Sequence, residues 1–240
     1  SKFTVSPTVA AFNRLVTKEA GNVGVVATPC QALALAKMKL NRTNEFENKI
    51  KQLKLVVGLY CGWTFSAEKY TKLLLGKNIA PESITKMDMP AGKNILELYT
   101  TGGVKTIPFE EAQTCIREAC QYCMDSTAEF ADVSVGSARF AGSWEEVREW
   151  NQLIVRTERG KDLVDLAVKR GVLEIREAPV ECLRELKEAA VKKKKGALRN
   201  IIQKTGSAKN LLYLDSRDPA ALKYLTKEVF SKKPIMKKVR

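Results

Sequence analysis

The stretch Val23-Gly24-Val25-Val26-Ala27-Thr28-Pro29-Cys30-Gln31 contains the transition that decides the fold of this chain. Five small or branched apolar residues predict a short buried strand, which Thr28-Pro29 interrupts, and a helix is expected from Gln31 to Leu40. A second apolar run, from Leu53 to Tyr60, repeats the strand pattern. This alternation of strand and helix predicts an α/β fold with a mixed, partly parallel sheet and flanking helices.

Further elements are expected on both sides of these two strands. Helices are predicted at residues 8–20, 66–75 and 161–170, and strands at residues 131–137, 153–157 and 172–176. Three short segments separated by glycines predict a small antiparallel β meander: Ile84–Met89, Asn94–Thr100 and Val104–Pro108. From residue 179 we expect a basic, helical C-terminal segment with interruptions near residues 192–196 and 218–219. Two domains are therefore predicted, residues 1–178 with the chemistry and residues 179–240.

The composition excludes several kinds of site. The chain has 240 residues and no histidine, which excludes a histidine-based triad, an imidazole general base and histidine-ligated zinc or iron. Six cysteines are too few for a disulfide scaffold, and we expect neither a transmembrane segment nor a secretory leader. We therefore expect a cytoplasmic protein whose thiols are reduced and free to bind metal.

The net charge of +14 is concentrated near the C-terminal end. Between Glu181 and Arg240 there are 17 Lys and Arg but 6 Asp and Glu, and four lysines, 192 to 195, are consecutive. Aromatic residues are not interleaved with these charges, which disfavours nucleic acid as a partner. We expect the segment from Pro179 to dock a partner and to lie outside the redox centre; the alternative is that its helices cover the sheet.

Four cysteines occupy positions suited to soft metal ligands. Cys30 follows the first strand, Cys61 follows the second, and Cys120 and Cys123 form a C-x-x-C pair. Ligands gather at the carboxyl ends of parallel strands, which is where Cys30 and Cys61 are expected. Spacing alone leaves three interpretations open: a four-iron, four-sulfur (4Fe-4S) cluster, a zinc site or unligated buried thiols. The remaining two, Cys115 and Cys182, lack such a setting.

The segment from Asp132 to Ser137 is a candidate for cofactor contact. It alternates in the manner of a strand and leads into a turn of small residues. Small residues allow backbone N–H groups to approach a phosphate closely, although a solvated strand and turn would have the same pattern.

Six motifs in order resemble those of one known family. They are Ser1-Lys2-Phe3-Thr4-Val5-Ser6-Pro7-Thr8, Thr28-Pro29-Cys30-Gln31, Gly58-Leu59-Tyr60-Cys61, Cys120-x-x-Cys123-Met124-Asp125, the run Glu129 to Ser137, and Val155-Arg156-Thr157-Glu158-Arg159-Gly160. They resemble the beta subunits of coenzyme F420-reducing hydrogenases and dehydrogenases of the archaeal type. The resemblance covers roughly residues 1–176.

This resemblance implies an oxidoreductase that contains FAD and a 4Fe-4S cluster. Such a flavoprotein moves electrons between an 8-hydroxy-5-deazaflavin coenzyme, F420, and the one-electron chain of partner subunits in a hetero-oligomeric complex. The implied cluster ligands are Cys30, Cys61, Cys120 and Cys123. The implied flavin contacts are Lys2, Ser6, Thr28, Asp132, Ser134, Gly136 and Ser137. The chemistry depends on positioning the cofactors, so no acid–base catalytic residue is predicted.

Two departures and two rival functions accompany the resemblance. Family members carry a further glycine-rich, helical segment before the first motif, so we expect this chain to be a fragment or that segment to lie on another chain. The stretch 138–150 is longer than the family pattern.

Two alternative functions stay open. One is a flavin and iron–sulfur reductase of another organic molecule or a sulfur oxyanion, and the other is a non-enzymatic binding module stabilised by zinc.

Overall fold

Two compact units make up the described part of the chain, which comprises residues 3–16, 21–41, 50–90, 93–137 and 150–225 of a computed structural model. Within these ranges, the parallel-sheet unit contains residues 7–62 and 123–225, and the meander unit contains residues 3–6 and 63–122. The division differs from the boundary predicted after residue 178, because residues 179–225 belong to the same compact unit as the parallel strands.

The helices and strands follow the predicted order closely. The strands are β1 (Val23–Ala27), β2 (Leu53–Leu59), β3 (Ile84–Asp88), β4 (Ile95–Thr100), β5 (Gly103–Pro108), β6 (Val133–Ser137) and β7 (Asn151–Val155). The α-helices are α1 (Thr8–Leu15), α2 (Pro29–Leu40), α3 (Ala67–Gly76), α4 (Phe109–Ala112), α5 (Glu158–Lys169), α6 (Val180–Thr205) and α7 (Pro219–Tyr224). Short 3-10 turns occur at Pro81–Ser83, Gln113–Cys115 and Glu118–Gln121.

The parallel-sheet unit is built on a four-stranded sheet with the order β1-β2-β6-β7. β1 pairs with β2 and β2 pairs with β6 in parallel, whereas β6 and β7 are antiparallel. Alternate residues of β1 are buried in a core that includes Phe12 of α1 and Leu35 of α2. The prediction of a mixed, partly parallel sheet is confirmed.

The meander unit contains the predicted antiparallel meander, with the strand order β3-β4-β5. Leu96, Leu98 and Ile107 are fully buried in its core. Aromatic rings fill the same core, since Phe65 stacks on Tyr70 at 5.1 Å between ring centroids and contacts Trp63 at 4.9 Å. Aromatic pairs at such distances contribute beyond the area they bury.

Two predicted details are wrong. Residues 172–176 lie in the described part but do not form a strand, and Val172 and Ile175 are 77% and 55% exposed. Their apolar character therefore does not reflect burial in the sheet. The predicted break near residues 192–196 is also wrong, because α6 continues through it. Lysine is a good helix former, and Gly196 is buried, so packing offsets the low helix propensity of glycine.

None of the helices in the described ranges combines the length and the hydropathy of a membrane-spanning segment. The predicted cytoplasmic location stays a prediction.

Candidate functional site

The carboxyl ends of three parallel strands lie at one edge of the sheet. Because β1, β2 and β6 run in the same direction, residues that follow them leave the sheet on the same side. Thr28 and Cys30 follow β1, Tyr60 and Cys61 follow β2, and Ser137 is the last residue of β6. This is the edge at which α/β sheets usually bind ligands.

Cys30 lies in the first turn of α2, with its side chain exposed to solvent. Pro29 begins this helix, where its missing N–H removes no hydrogen bond. The backbone N and Oγ1 of Thr28 both donate to Oε1 of Gln31, at 2.9 and 3.0 Å. Oγ1 of Thr28 is 3.3 Å from Sγ of Cys30.

Cys61 and Cys123 are brought together by the segment that follows the C-x-x-C pair. The backbone N of Cys61 donates to the carbonyl of Ser126 at 2.8 Å. The thiol of Cys123 donates to the carbonyl of Asp125 at 3.4 Å. Burial raises the pKa of the Cys123 thiol, the Lys193 ammonium opposes this shift, and the charge of Cys30 adds to it. Cys30 is thus close enough to Cys123 for their charges to interact.

Cys120 belongs to the meander unit, so the boundary between the units lies within the C-x-x-C pair. Its Sγ is 3.6 Å from Oγ1 of Thr64. Among the described residues, no three Cys, Asp or Glu side chains form a preassembled metal site. The ligand set Cys30, Cys61, Cys120 and Cys123 stays a prediction.

The segment after Cys123 is held by hydrogen bonds that the sequence did not predict. Oδ1 of Asp125 accepts from the backbone N of Thr127 at 2.9 Å, and Oδ2 accepts from that of Glu129 at 2.7 Å. Burial raises the pKa of the Asp125 carboxyl, and these two bonds oppose the shift. The backbone N of Met124 donates to the hydroxyl of Tyr213 at 3.1 Å, and burial raises the pKa of Tyr213 to about 12.

Two of the four consecutive lysines face into the parallel-sheet unit. Nζ of Lys193 donates to the carbonyls of Cys61 and Asp125, at 2.6 and 2.8 Å. Nζ of Lys194 forms an ion pair with Glu129 at 2.6 Å, whereas Lys192 is exposed. The segment from Pro179 is predicted to lie outside the redox centre, and that stays a prediction. Helical geometry nevertheless turns successive residues to different faces, so Lys193 contacts the carbonyl of Cys61.

Two of the predicted flavin contacts have side chains that join strands of the protein. Oδ2 of Asp132 accepts from the backbone N of Val56, and Oδ1 accepts from Oγ1 of Thr157, both at 2.8 Å. Oγ of Ser134 is fully buried, donates to the carbonyl of Ala128 at 3.2 Å and lies 3.2 Å from the donating Nε of Arg156.

The other predicted flavin contacts lie in different settings. Lys2 lies outside the described residues, and Ser6 is exposed in the meander unit. Thr28 is buried at the end of β1, and Ser137 is exposed at the end of β6. The flavin contacts remain predictions.

Gly136 lies against the ring of Tyr60, whose hydroxyl is buried and unpartnered among the described residues. A Cβ atom at Gly136 would be 2.1 Å from two ring carbons of Tyr60, so only glycine fits there. Gln152 is directly opposite Gly136 in the β6–β7 pair and shares its face of the sheet. The hydroxyl of Tyr60 and both amide atoms of Gln152 are buried and have no hydrogen-bond partner in the part of the chain that the structure describes.

Buried polar atoms nearly always have a partner, and leaving one unpaired costs about 1–3 kcal/mol. A hydroxyl and an amide together offer both donors and acceptors to a ligand. Neither Tyr60 nor Gln152 was predicted as a candidate ligand contact, although Tyr60 lies within one of the quoted motifs. Burial raises the pKa of Tyr60 to about 12, with Arg156 opposing the shift, so the hydroxyl is protonated at neutral pH.

Comparisons with known proteins show a family match and a fold match. The family described as the C terminus of the beta subunit of coenzyme F420 hydrogenase/dehydrogenase matches residues 20–181. A solved structure of the F420-reducing NiFe hydrogenase complex from Methanosarcina barkeri contains a chain of the same fold, with a TM-score of 0.73 and 24% identity. The match covers 86% of this chain and 70% of that one.

Several characterised proteins are similar in sequence. The coenzyme F420 hydrogenase subunit beta of Methanothermobacter thermautotrophicus is 32% identical over 211 residues, which are 84% of this chain and 70% of that protein. The F420-dependent formate dehydrogenase subunit beta of Methanocaldococcus jannaschii is 30% identical, over 69% of this chain and 42% of that protein. The coenzyme F420-dependent sulfite reductase of the same organism is 29% identical, over 80% of this chain and 31% of that protein. The chain thus spans between about a third and seven tenths of the length of these relatives.

Proposed function

We propose that this chain, which belongs to the family of coenzyme F420 hydrogenase and dehydrogenase beta subunits, passes electrons between coenzyme F420 and a one-electron chain through FAD and a 4Fe-4S cluster. The hydrogenase and formate dehydrogenase relatives are subunits of oxidoreductases, and the resemblance carried by the sequence motifs is confirmed. We also propose that the redox partner is another subunit of a hetero-oligomeric complex. The relatives named above as subunits support this arrangement.

The observation that supports the proposal is the proximity of three cysteine-bearing segments in the parallel-sheet unit. Cys61 is hydrogen-bonded to the segment that holds Cys123, and Cys30 is within electrostatic range of Cys123. Three soft donors from three separate stretches of sequence match the thiolate ligation of an iron–sulfur cluster. Cys120 completes the proposed set on the strength of the C-x-x-C spacing alone.

The residues around Gly136 fit a flavin in the chemistry of their donors and acceptors. Tyr60 and Gln152 have buried, unpartnered polar atoms among the described residues, and a flavin ring has an edge that alternates acceptors and a donor. Thr28 and Ser137 extend this edge of the sheet to either side. Asp132 and Ser134 would then act indirectly, by fixing the strands on which the contacts lie.

When bound, the flavin would exchange a hydride with the deazaflavin and release its two electrons singly to the cluster. The protein's own residues position these groups and keep water away from the buried edge. The hydroxyl of Tyr60, which stays neutral at physiological pH, would hold the flavin ring by a hydrogen bond.

Bleaching of the flavin absorbance tests the proposal. The full chain is purified without oxygen, reconstituted with FAD, iron and sulfide, and mixed with chemically reduced F420. We expect the flavin band to bleach while the fluorescence of oxidised F420 appears. A chain that binds flavin but is not reduced by the deazaflavin would contradict the choice of substrate. A chain that binds zinc and no flavin would support the non-enzymatic binding module instead.

A second candidate keeps the cofactors and changes the final acceptor. One relative is an F420-dependent sulfite reductase, in which the similar region makes up 31% of the protein. In a protein of that kind, a module like this chain would supply electrons to sulfite reduction elsewhere. Electron delivery to sulfite on addition of a sulfite-reducing partner, but not of a hydrogenase partner, would favour this candidate.

A further inference from the structure

Lys193 lies beyond residue 181, where the family match ends, and yet it contacts the cysteine site. Its side chain extends from α6, near the middle of the basic helix, and is partly buried. Its ammonium donates to the carbonyl of Cys61 at 2.6 Å and to that of Asp125 at 2.8 Å. One side chain thus connects the segment that follows β2 with the segment that follows the C-x-x-C pair.

The contacts of Lys193 also place a positive charge beside a thiol. The carbonyl of Asp125 accepts from both the Lys193 ammonium and the Cys123 thiol, so the two donors share one acceptor. Charges that are partly removed from water interact more strongly than charges on the surface. The neighbouring ion pair between Lys194 and Glu129 links the segment after the C-x-x-C pair to α6.

We propose that Lys193 is a positioning residue for the cysteine site, which fixes Cys61 and Cys123 relative to each other and favours added negative charge at their sulfurs. Iron–sulfur reduction potentials depend on net charge and on hydrogen bonds near the sulfurs. A fixed cation therefore makes the site easier to reduce. The electrostatic half of this inference rests on the proposed function, whereas the structural half does not.

Three variants of the full chain separate these effects. Lys193→Met removes the charge and both hydrogen bonds, Lys193→Arg keeps the charge and donors, and Lys192→Met removes an exposed lysine from the same helix as a matched control. Hydrogen exchange is measured on the metal-free protein at two backbone amides of the segments that Lys193 connects. The amide of Cys61 donates to the carbonyl of Ser126, and the amide of Met124 donates to the hydroxyl of Tyr213. We expect about tenfold faster exchange in Lys193→Met and wild-type rates in Lys192→Met.

The reduction potential of the reconstituted protein gives the second readout. We expect a shift to more negative potential in Lys193→Met, recovery in Lys193→Arg and no change in Lys192→Met. Wild-type exchange rates in Lys193→Met would overturn the positioning role, and an unshifted potential would overturn the electrostatic role. A wild-type chain that takes up no iron would overturn the proposed function instead, and the exchange rates would still decide the role of Lys193.

Discussion

The meander unit and the parallel-sheet unit differ in whether their buried polar side-chain atoms have hydrogen-bond partners. In the meander unit, the Tyr70 hydroxyl donates to the sulfur of Met87 at 2.9 Å, inside a core of stacked aromatic rings. In the parallel-sheet unit, the Tyr60 hydroxyl, the Ser126 hydroxyl and the Gln152 amide are buried and unpaired. Within the described ranges, every such unpaired side-chain atom belongs to the parallel-sheet unit.

This difference indicates how stability and chemistry are distributed in the molecule. Stability alone favours an apolar core in which every polar group is paired, since each unpaired buried group lowers the free energy of unfolding. The parallel-sheet unit retains such groups at Tyr60 and Gln152, near the carboxyl ends of β2 and β6, whereas Gln52 lies at the opposite end of β2. The partly buried Lys193 and the buried Asp125 contact the segment that follows β2 or the one that follows the C-x-x-C pair. Unfavourable groups near the carboxyl ends of parallel strands, such as Tyr60 and Gln152, are typical of a functional site.

The largest expected effect is loss of the cluster when a proposed ligand is replaced. Changing Cys30, Cys61, Cys120 or Cys123 to serine should reduce the bound iron to background, because a hydroxyl is a poor substitute for a thiolate. Iron and acid-labile sulfide are measured after anaerobic reconstitution of each variant.

The two remaining cysteines provide matched controls, since each is buried in one of the two units. Cys115→Ser and Cys182→Ser should bind as much iron as the wild type. Equal loss of iron in all six variants would show that the wrong subset of cysteines has been chosen.

Truncation of the aromatic core should lower stability strongly. Phe65 is almost fully buried in the meander unit, so Phe65→Ala should reduce the free energy of unfolding by about 3–5 kcal/mol. Phe130→Ala is the control, because Phe130 is 53% exposed in the parallel-sheet unit and should change stability by less than about 0.5 kcal/mol. Chemical denaturation measures both. Similar losses in the two variants would refute the assignment of the aromatic core as a stabilising centre.

A smaller loss is expected from Gly136→Ala, since the added methyl group would overlap the Tyr60 ring. Overpacking of this kind typically costs about 1–3 kcal/mol, and it should also weaken flavin binding by displacing the Tyr60 hydroxyl. Gly62→Ala is the matched control, because no atom lies within 4 Å of the added methyl group. Unfolding temperature and flavin fluorescence are followed together; an unaffected flavin affinity in a destabilised Gly136→Ala would argue against a flavin at Tyr60.

The fold was largely predictable because hydrophobic pattern determines it. The strands β1 and β2, the meander and most helices depend on local runs that apolar spacing reveals. The segment 172–176 was mispredicted because an apolar alternation does not specify a pairing partner. The helix α6 was mispredicted at Gly196, where burial within the unit decides the outcome.

The site was predictable in part. Cysteines at strand ends and the C-x-x-C spacing are visible in sequence, so Cys30, Cys61 and Cys123 could be found. Lys193 and Tyr213 contact the cysteine-bearing segments from about 70 to 130 residues away along the chain, and such pairings depend on how α6 and the segment after it pack. A run of four lysines does not reveal which of them faces inward until the phase of the helix is known.

The smallest expected effect concerns pH. Burial raises the pKa of Tyr60 to about 12 from an ordinary value of 10.0, so the folded state holds this proton more tightly than the unfolded state. Its contribution to stability is complete below pH 10 and is lost as the pH rises from about 10 to 12. Tyr60→Phe should show a weaker loss of stability than the wild type over this range, measured by denaturation of the cofactor-free chain. Identical pH profiles would contradict a buried, neutral Tyr60.

The central claim is that the thiols at the edge of the parallel sheet hold an iron–sulfur cluster, and metal analysis tests it most directly. The wild-type chain is reconstituted without oxygen, freed of unbound metal and assayed for iron, acid-labile sulfide and zinc. We expect about four iron and four sulfide per chain, with a visible absorbance band that disappears on reduction. Zinc at about one per chain, or no bound metal at all, would contradict the claim.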